Sequence, residues 1–98
     1  MPEHKIAIFE GKRIRRHWDN ENELWYFSVV DVIQVLTDQF DFTKARKYWN
    51  KLAERLRIEG SEVVTKCHQL KMLAADGKMR LTDVADTEVM LRIIQSIA

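Results

Sequence analysis

The sequence predicts an α+β domain, and three observations carry that reading. Short β-prone runs cluster between Ile6 and Phe27, two amphipathic helical patterns fill the middle, and a glycine-turned hairpin leads into a last helical pattern. At 98 residues the chain holds one domain with a single core. Its last residues, Gln95-Ser96-Ile97-Ala98, carry neither a terminating Gly or Pro nor a charged tail. That reads as the N-terminal part of a longer protein.

Ile6-Ala7-Ile8-Phe9 is the first strand, and Glu10-Gly11 a turn. Lys12 to Trp18 reads as a second strand and Leu24-Trp25-Tyr26-Phe27 as a third, separated by the polar loop Asp19 to Glu23. The apolar run of the third is too continuous for one-sided alternation, so burial on both faces is expected there. Ser28 is an N-cap, its hydroxyl placed to accept an orphan N–H. Asp31, three residues on, occupies the capping-box position usually held by Glu or Gln. The helix it opens runs to about Asp38, with Val29, Val32, Ile33 and Leu36 as its core stripe.

Thr43 is the expected N-cap of the strongest helical pattern, Lys44 to Ile58, in which Ala45, Trp49, Leu52 and Leu56 form a one-sided apolar stripe. Gly60 is the natural left-handed terminator. Leu70–Ala74 and Lys78–Leu81 flank Ala75-Asp76-Gly77, a hairpin for which Asp-Gly predicts a type I′ turn. Thr82-Asp83 closes that hairpin. Asp86 or Thr87 then caps a final helix with Met90, Leu91, Ile94 and Ile97 on one face.

Charge says more by position than by sum. The formal net charge is only +1, yet Lys44 to Arg57 holds six cations against Glu54 alone, a local +5. At roughly 100° per residue, Lys44, Lys47, Lys51 and Arg55 share one flank of the apolar stripe, and Arg46, Asn50 and Arg57 the other. A helix pinned by one face with cations on the next suits contact with phosphates or a groove. Asn50, Arg46 and Arg57 are also types that read base edges. The competing reading is a solvated surface helix.

A second basic cluster, Lys12, Arg13, Arg15 and Arg16, lies on the second strand. Arg13 and Arg15 share one face and either grip phosphates or pair with Glu10, Asp19, Glu21 or Glu23. The hairpin carries Lys71, Lys78 and Arg80, which suits either a groove-reaching wing or an edge guarded by charge. Double-stranded DNA is one partner these surfaces would suit. The alternative is a docking module that binds a repressor or a second copy of this chain through the last helix, where Ile93 and Ile97 would be exposed.

Enzyme and membrane classes find little footing. Cys67-His68 is the one Cys/His pair, without the recurring spacing of a structural zinc site, and chain neighbours seldom face each other as a nucleophile and its base need to. Asp83, Asp86 and Glu88 are better explained as acids at a helix start than as paired catalytic carboxylates. Three scattered glycines make no phosphate loop, so no cofactor or metal is expected. No apolar run approaches the roughly 20 residues of a membrane span, and no signal-peptide core opens the chain. With a single cysteine, these features point to the cytoplasm.

In order, three stretches resemble the N-terminal domain of the BRO family of phage antirepressors and large-DNA-virus proteins. They are Leu24 to Leu36 (an aromatic strand running into an Asp-Val helix), the basic helix from Thr43 to Trp49, and the hairpin with its terminal helix from Leu70 to about Gln95. Lys44-Ala45-Arg46-Lys47-Tyr48-Trp49-Asn50-Lys51-Leu52 is similar to a bacterial and prophage branch that includes proteins resembling DNA-damage-inducible protein D. The sequence departs from the family near its last helix, where Ala85-Asp86-Thr87-Glu88-Val89-Met90 stands in place of an Asn-Glu-Ser-Gly-Leu-Tyr type segment. The resemblance implies DNA binding and transcriptional control, with effector activity in a separate C-terminal region.

Overall fold

The computed structural model describes residues 6–9, 12–39 and 41–97, with the backbone alone for 6–9, 12 and 13. The elements are β1 (Ile6–Phe9), β2 (Lys12–Asp19), β3 (Leu24–Ser28), α1 (Val29–Leu36), α2 (Phe42–Ile58), β4 (His68–Leu73), β5 (Met79–Asp86) and α3 (Thr87–Gln95). The α+β class is as expected. The Glu10-Gly11 turn lies outside the described residues.

The five strands form one sheet in the order β1-β2-β3-β5-β4, with every neighbouring pair antiparallel. The hairpin thus docks on the N-terminal meander, with Tyr26 opposite Asp86 and Ser28 opposite Val84. This docking overturns the expected end of the second hairpin strand. Thr82-Asp83 closes nothing, because β3 offers the chain a second ladder and β5 continues to Asp86.

The main core lies between the sheet and the helices and includes Ile14, Val29, Ile33, Trp49, Leu52, Leu56, Ala85 and Ile93. Tyr26, Met72 and Val84 form a smaller cluster. Since Tyr26 joins the small cluster while Phe27 packs against the large one, β3 is covered on both faces as its composition implied. In α1 the β-branched residues Val29, Val30, Val32, Ile33 and Val35 are all buried, while Leu36 at the helix end is exposed. Burial that extensive outweighs the few tenths of a kcal/mol by which β-branched residues disfavour a helix.

Two caps differ from expectation. At α2 the N-cap is Asp41 rather than Thr43: its carboxylate accepts from the amides of Thr43 (2.8 Å) and Lys44 (3.4 Å). A carboxylate satisfies two orphan donors there and sits at the positive end of the helix dipole. At α1 the Ser28 hydroxyl accepts from Asp31 N as expected, but the Asp31 carboxylate is engaged elsewhere. The end of α2 is a Schellman motif, with Gly60 at φ +79° and amide bonds from Gly60 to Arg57 O and from Ser61 to Leu56 O.

The hairpin turn is also corrected. Type I′ would need positive φ at both Asp76 and Gly77, and only Gly77 has it, at +83°. Bonds from Gly77 N to Ala74 O and from Ala74 N to Lys78 O define a three-residue connection, a tight turn followed by a left-handed glycine. The Asp76 side chain selects it by accepting from Lys78 N at 3.1 Å.

Candidate nucleic-acid interface

The orientation of α2 determines what it offers to a partner. Ala45, Trp49, Leu52, Ala53 and Leu56 face the core, and Trp49 is 2% exposed. Its indole Nε1 donates to Asp83 Oδ2 at 2.7 Å, while Gln69 Nε2 donates to Asp83 Oδ1 at 2.9 Å. One carboxylate on β5 therefore ties α2 and β4 together. Asp83 is an anchor within a strand, not a helix-start acid as its sequence neighbourhood suggested. Asp86 alone of the three acids caps α3, accepting from Val89 N at 2.9 Å.

With its rotation held, α2 turns its basic residues outward. Lys44, Arg46, Lys47, Asn50, Lys51, Arg55 and Arg57 are all exposed. Among the described residues no acid pairs with Lys44, Arg46, Lys47, Lys51 or Arg57. Arg55 stands apart from this set. Its Nη2 donates to the Ser96 carbonyl at 2.9 Å, tying α2 to the end of α3, and Glu59 approaches its Nε at 3.9 Å.

The second-strand cluster takes another role. Arg13 has a described backbone, paired with Ile8, but its side chain lies outside the described residues. Arg15 is turned inward, with Nε 2.8 Å and Nη2 3.0 Å from the two oxygens of Asp31, whose Oδ2 also accepts from Arg15 N at 2.9 Å. Two further guanidinium bonds reach Ser28 Oγ (3.4 Å) and the Leu73 carbonyl (3.1 Å). With its charge paired to Asp31, four of its five guanidinium N–H donors spent on the protein and the side chain only 17% exposed, Arg15 leaves the candidate set. Its partner is Asp31, not one of the loop acids. Arg16 stacks on Trp25 at 4.1 Å, and Trp25 in turn lies against Trp18.

On the hairpin, Arg80 pairs with Asp76 through both Nε and Nη2, which holds the Asp76 carboxyl below its ordinary range. Lys71 and Lys78 are exposed and outside any ion pair of the described residues. Arg80 is thus locally neutralised, and the hairpin is a weaker basic surface than its composition suggests.

The Cys67 and His68 side chains turn to different partners. Burial pushes the Cys67 thiol up to about 11, helped by the nearby charges of Asp83 and Asp86 against an opposing effect of Arg57. Such a thiol carries little thiolate near neutral pH. Cys67 Sγ donates to Val63 O, while His68 is exposed and meets the Tyr26 ring edge-on. Among the described residues no group of His, Cys, Asp and Glu is placed to hold a metal ion, and no helix is long and apolar enough to cross a membrane.

The Arg15–Asp31 and Trp49–Asp83 pairs span 16 and 34 residues, and no local pattern signals either. What is legible in advance is only that buried Trp and Arg donors need acceptors. No protein-family model matches the chain, and no curated protein or solved structure is significantly similar to it.

Proposed function

We propose that this chain is a DNA-binding domain that contacts duplex DNA through the outward face of α2, in the manner of the antirepressor-type regulators its sequence resembles. The observation that carries the reading is the set of five exposed cations, Lys44, Arg46, Lys47, Lys51 and Arg57, with no acid partner among the described residues, on a helix whose rotation is held by Trp49 and Asp83. A helix of 17 residues is about 25 Å long, enough to follow a groove over several base pairs. Lys44, Lys47 and Lys51 on one flank supply phosphate contacts, while Asn50, Arg46 and Arg57 on the other supply donors for base edges. Lys78 and Lys71 reinforce the field from the hairpin.

Fluorescence anisotropy of a labelled duplex over a salt series tests the proposal. Log affinity should fall with log salt at a slope near −0.9 per neutralised phosphate, about −3 for three lysine contacts. Reversing Lys47 and Lys51 (K47E/K51E) should weaken binding to all duplexes about alike, and shallow the slope by about 2. An unchanged affinity in that variant removes α2 from the interface. No salt-sensitive binding by the parent chain ends the proposal.

A further inference from the structure

The sheet ends on β4 with an open edge. In the order β1-β2-β3-β5-β4 this strand has β5 on one side, and among the described residues no backbone group pairs with its other side. The hairpin bonds fix which of its groups are free. Ala74 N donates to Lys78 O at 2.8 Å, so that pair is a hydrogen-bonded one. By the alternation of an antiparallel ladder, Met72, Leu70 and His68 then turn their amides and carbonyls to β5, while Gln69, Lys71 and Leu73 turn theirs outward. Arg15 Nη1 takes the Leu73 carbonyl at 3.1 Å, which leaves Gln69 and Lys71 with both groups unbonded among the described residues. The devices that blunt an edge strand are sparse here: β4 has no proline, and its one formal charge is Lys71.

Two opposite charges beside this edge lack a counter-ion among the described residues. Lys71 is exposed and in no ion pair, and Asp83 receives only the neutral donors Trp49 Nε1 (2.7 Å) and Gln69 Nε2 (2.9 Å). A second β4 laid antiparallel along the edge about a two-fold axis has few registers. Centred on Lys71, it sets two lysines directly opposite, which is destabilising, and calls on the Leu73 carbonyl. Centred on Met72 or Leu73, it needs that carbonyl again. Centred on His68 or Gln69, it needs the Cys67 N–H, which is already donated to Val64 O. Centred on Leu70, it uses only free groups. Gln69 of each copy then faces Lys71 of the other through reciprocal main-chain bonds, and Leu70 faces its own copy. The same register lines up Lys71 of each copy with Gln69 and Asp83 of the other on one face, about 10 Å away over two strand spacings, within reach of a lysine stem and a carboxylate.

We propose that β4 is a dimer seam, pairing antiparallel with β4 of a second copy of this chain about a two-fold axis at Leu70, so that the two sheets join into one. The unbonded main-chain groups call for a strand as the occupant. The Lys71–Asp83 match, made twice by one symmetry operation, identifies that strand as a second copy. This seam differs from the last-helix interface that the sequence suggested, since Ile93 is fully buried.

Sedimentation equilibrium of the full chain over roughly 10 μM to 1 mM should show a reversible dimer. Lys71→Pro removes an N–H that β5 does not use, so K71P should melt like the parent while its dimer dissociation constant rises at least about tenfold. Lys71→Glu, which turns a carboxylate toward Asp83 of the other copy, should weaken the dimer by a similar factor, and it serves if K71P does not fold. The register has its own readout. A non-hydrogen-bonded pair brings its Cα atoms to about 4.5 Å, close enough for a disulfide. With Cys67 replaced by serine, Leu70→Cys should therefore cross-link two copies on mild oxidation, and Met72→Cys should not. The proposal is overturned if the chain is monomeric throughout, if K71P and K71E dimerise like the parent, or if Met72→Cys cross-links in preference to Leu70→Cys. A monomer that instead binds an unrelated extended peptide along β4 overturns it too, assigning the edge to another occupant. K47E/K51E should dimerise like the parent, so this proposal and the DNA-binding one can fail separately.

Discussion

The outer face of α2 and the middle of β2 are both basic, yet they do opposite things with their charge. On α2, Lys47 and Lys51 project into solvent with no acid beside them among the described residues. On β2, Arg15 is drawn into the Asp31 carboxylate, with side-chain exposures of 17% and 7%. Removing a cation from the first region should disturb binding and spare the fold. Removing it from the second should disturb the fold. A basic residue is free to meet a ligand only where the tertiary structure brings it no acceptor.

The sharpest way to break this contrast is Arg15→Met. It strands a buried carboxylate, and should cost about 3 kcal/mol in urea denaturation and lower the melting temperature by about 12–24 °C. R15M/D31L should recover most of the loss, because the cost comes from the unpaired charge and not from the missing pair. A loss below about 0.5 kcal/mol for R15M would place Arg15 among the surface cations. Trp49→Phe comes next. Losing the indole N–H to Asp83 and part of a buried ring should cost about 2 kcal/mol. The salt slope of DNA binding should then hold while the affinity drops, if the rotation of α2 is what aims its cations.

A smaller effect separates the two candidate caps of α2. Asp41→Ala should cost about 1 kcal/mol, whereas Thr43→Ala should stay within about 0.5 kcal/mol. The reverse order would restore Thr43 as the cap. Smallest is the effect of K47E/K51E on stability, expected within about 0.5 kcal/mol although the same variant should lose DNA affinity. A large loss of stability there would show that α2 uses these lysines internally, and would erase the contrast with β2.

The α2 stripe was legible because Ala45, Trp49, Leu52 and Leu56 recur at helical spacing, and the structure buries all four. The two flanks of cations followed from the same geometry. The hairpin was legible from Asp76-Gly77, but its turn type was not, because that depended on Asp76 accepting from Lys78 N and pairing with Arg80. Arg15 was misassigned for a related reason: Asp31 looked like a capping acid from its distance to Ser28, and nothing local revealed that a strand arginine would claim it.

On α3 the expected apolar face fails, since Leu91 is exposed and Ile93 buried. The sequence by itself determined the α+β class, the order of elements, the apolar face of α2 and the concentration of charge on that helix. All of these depend on contacts or periodicities within a few residues, where backbone geometry alone dictates which side chains share a face. Only the tertiary structure decided that β5 would insert between β3 and β4, that Asp31 and Asp83 would become buried acceptors, and that Leu73, Met79 and Leu81 would remain uncovered. Those outcomes depend on which distant groups meet once the sheet closes. A buried polar group must take whichever partner the packing brings within reach.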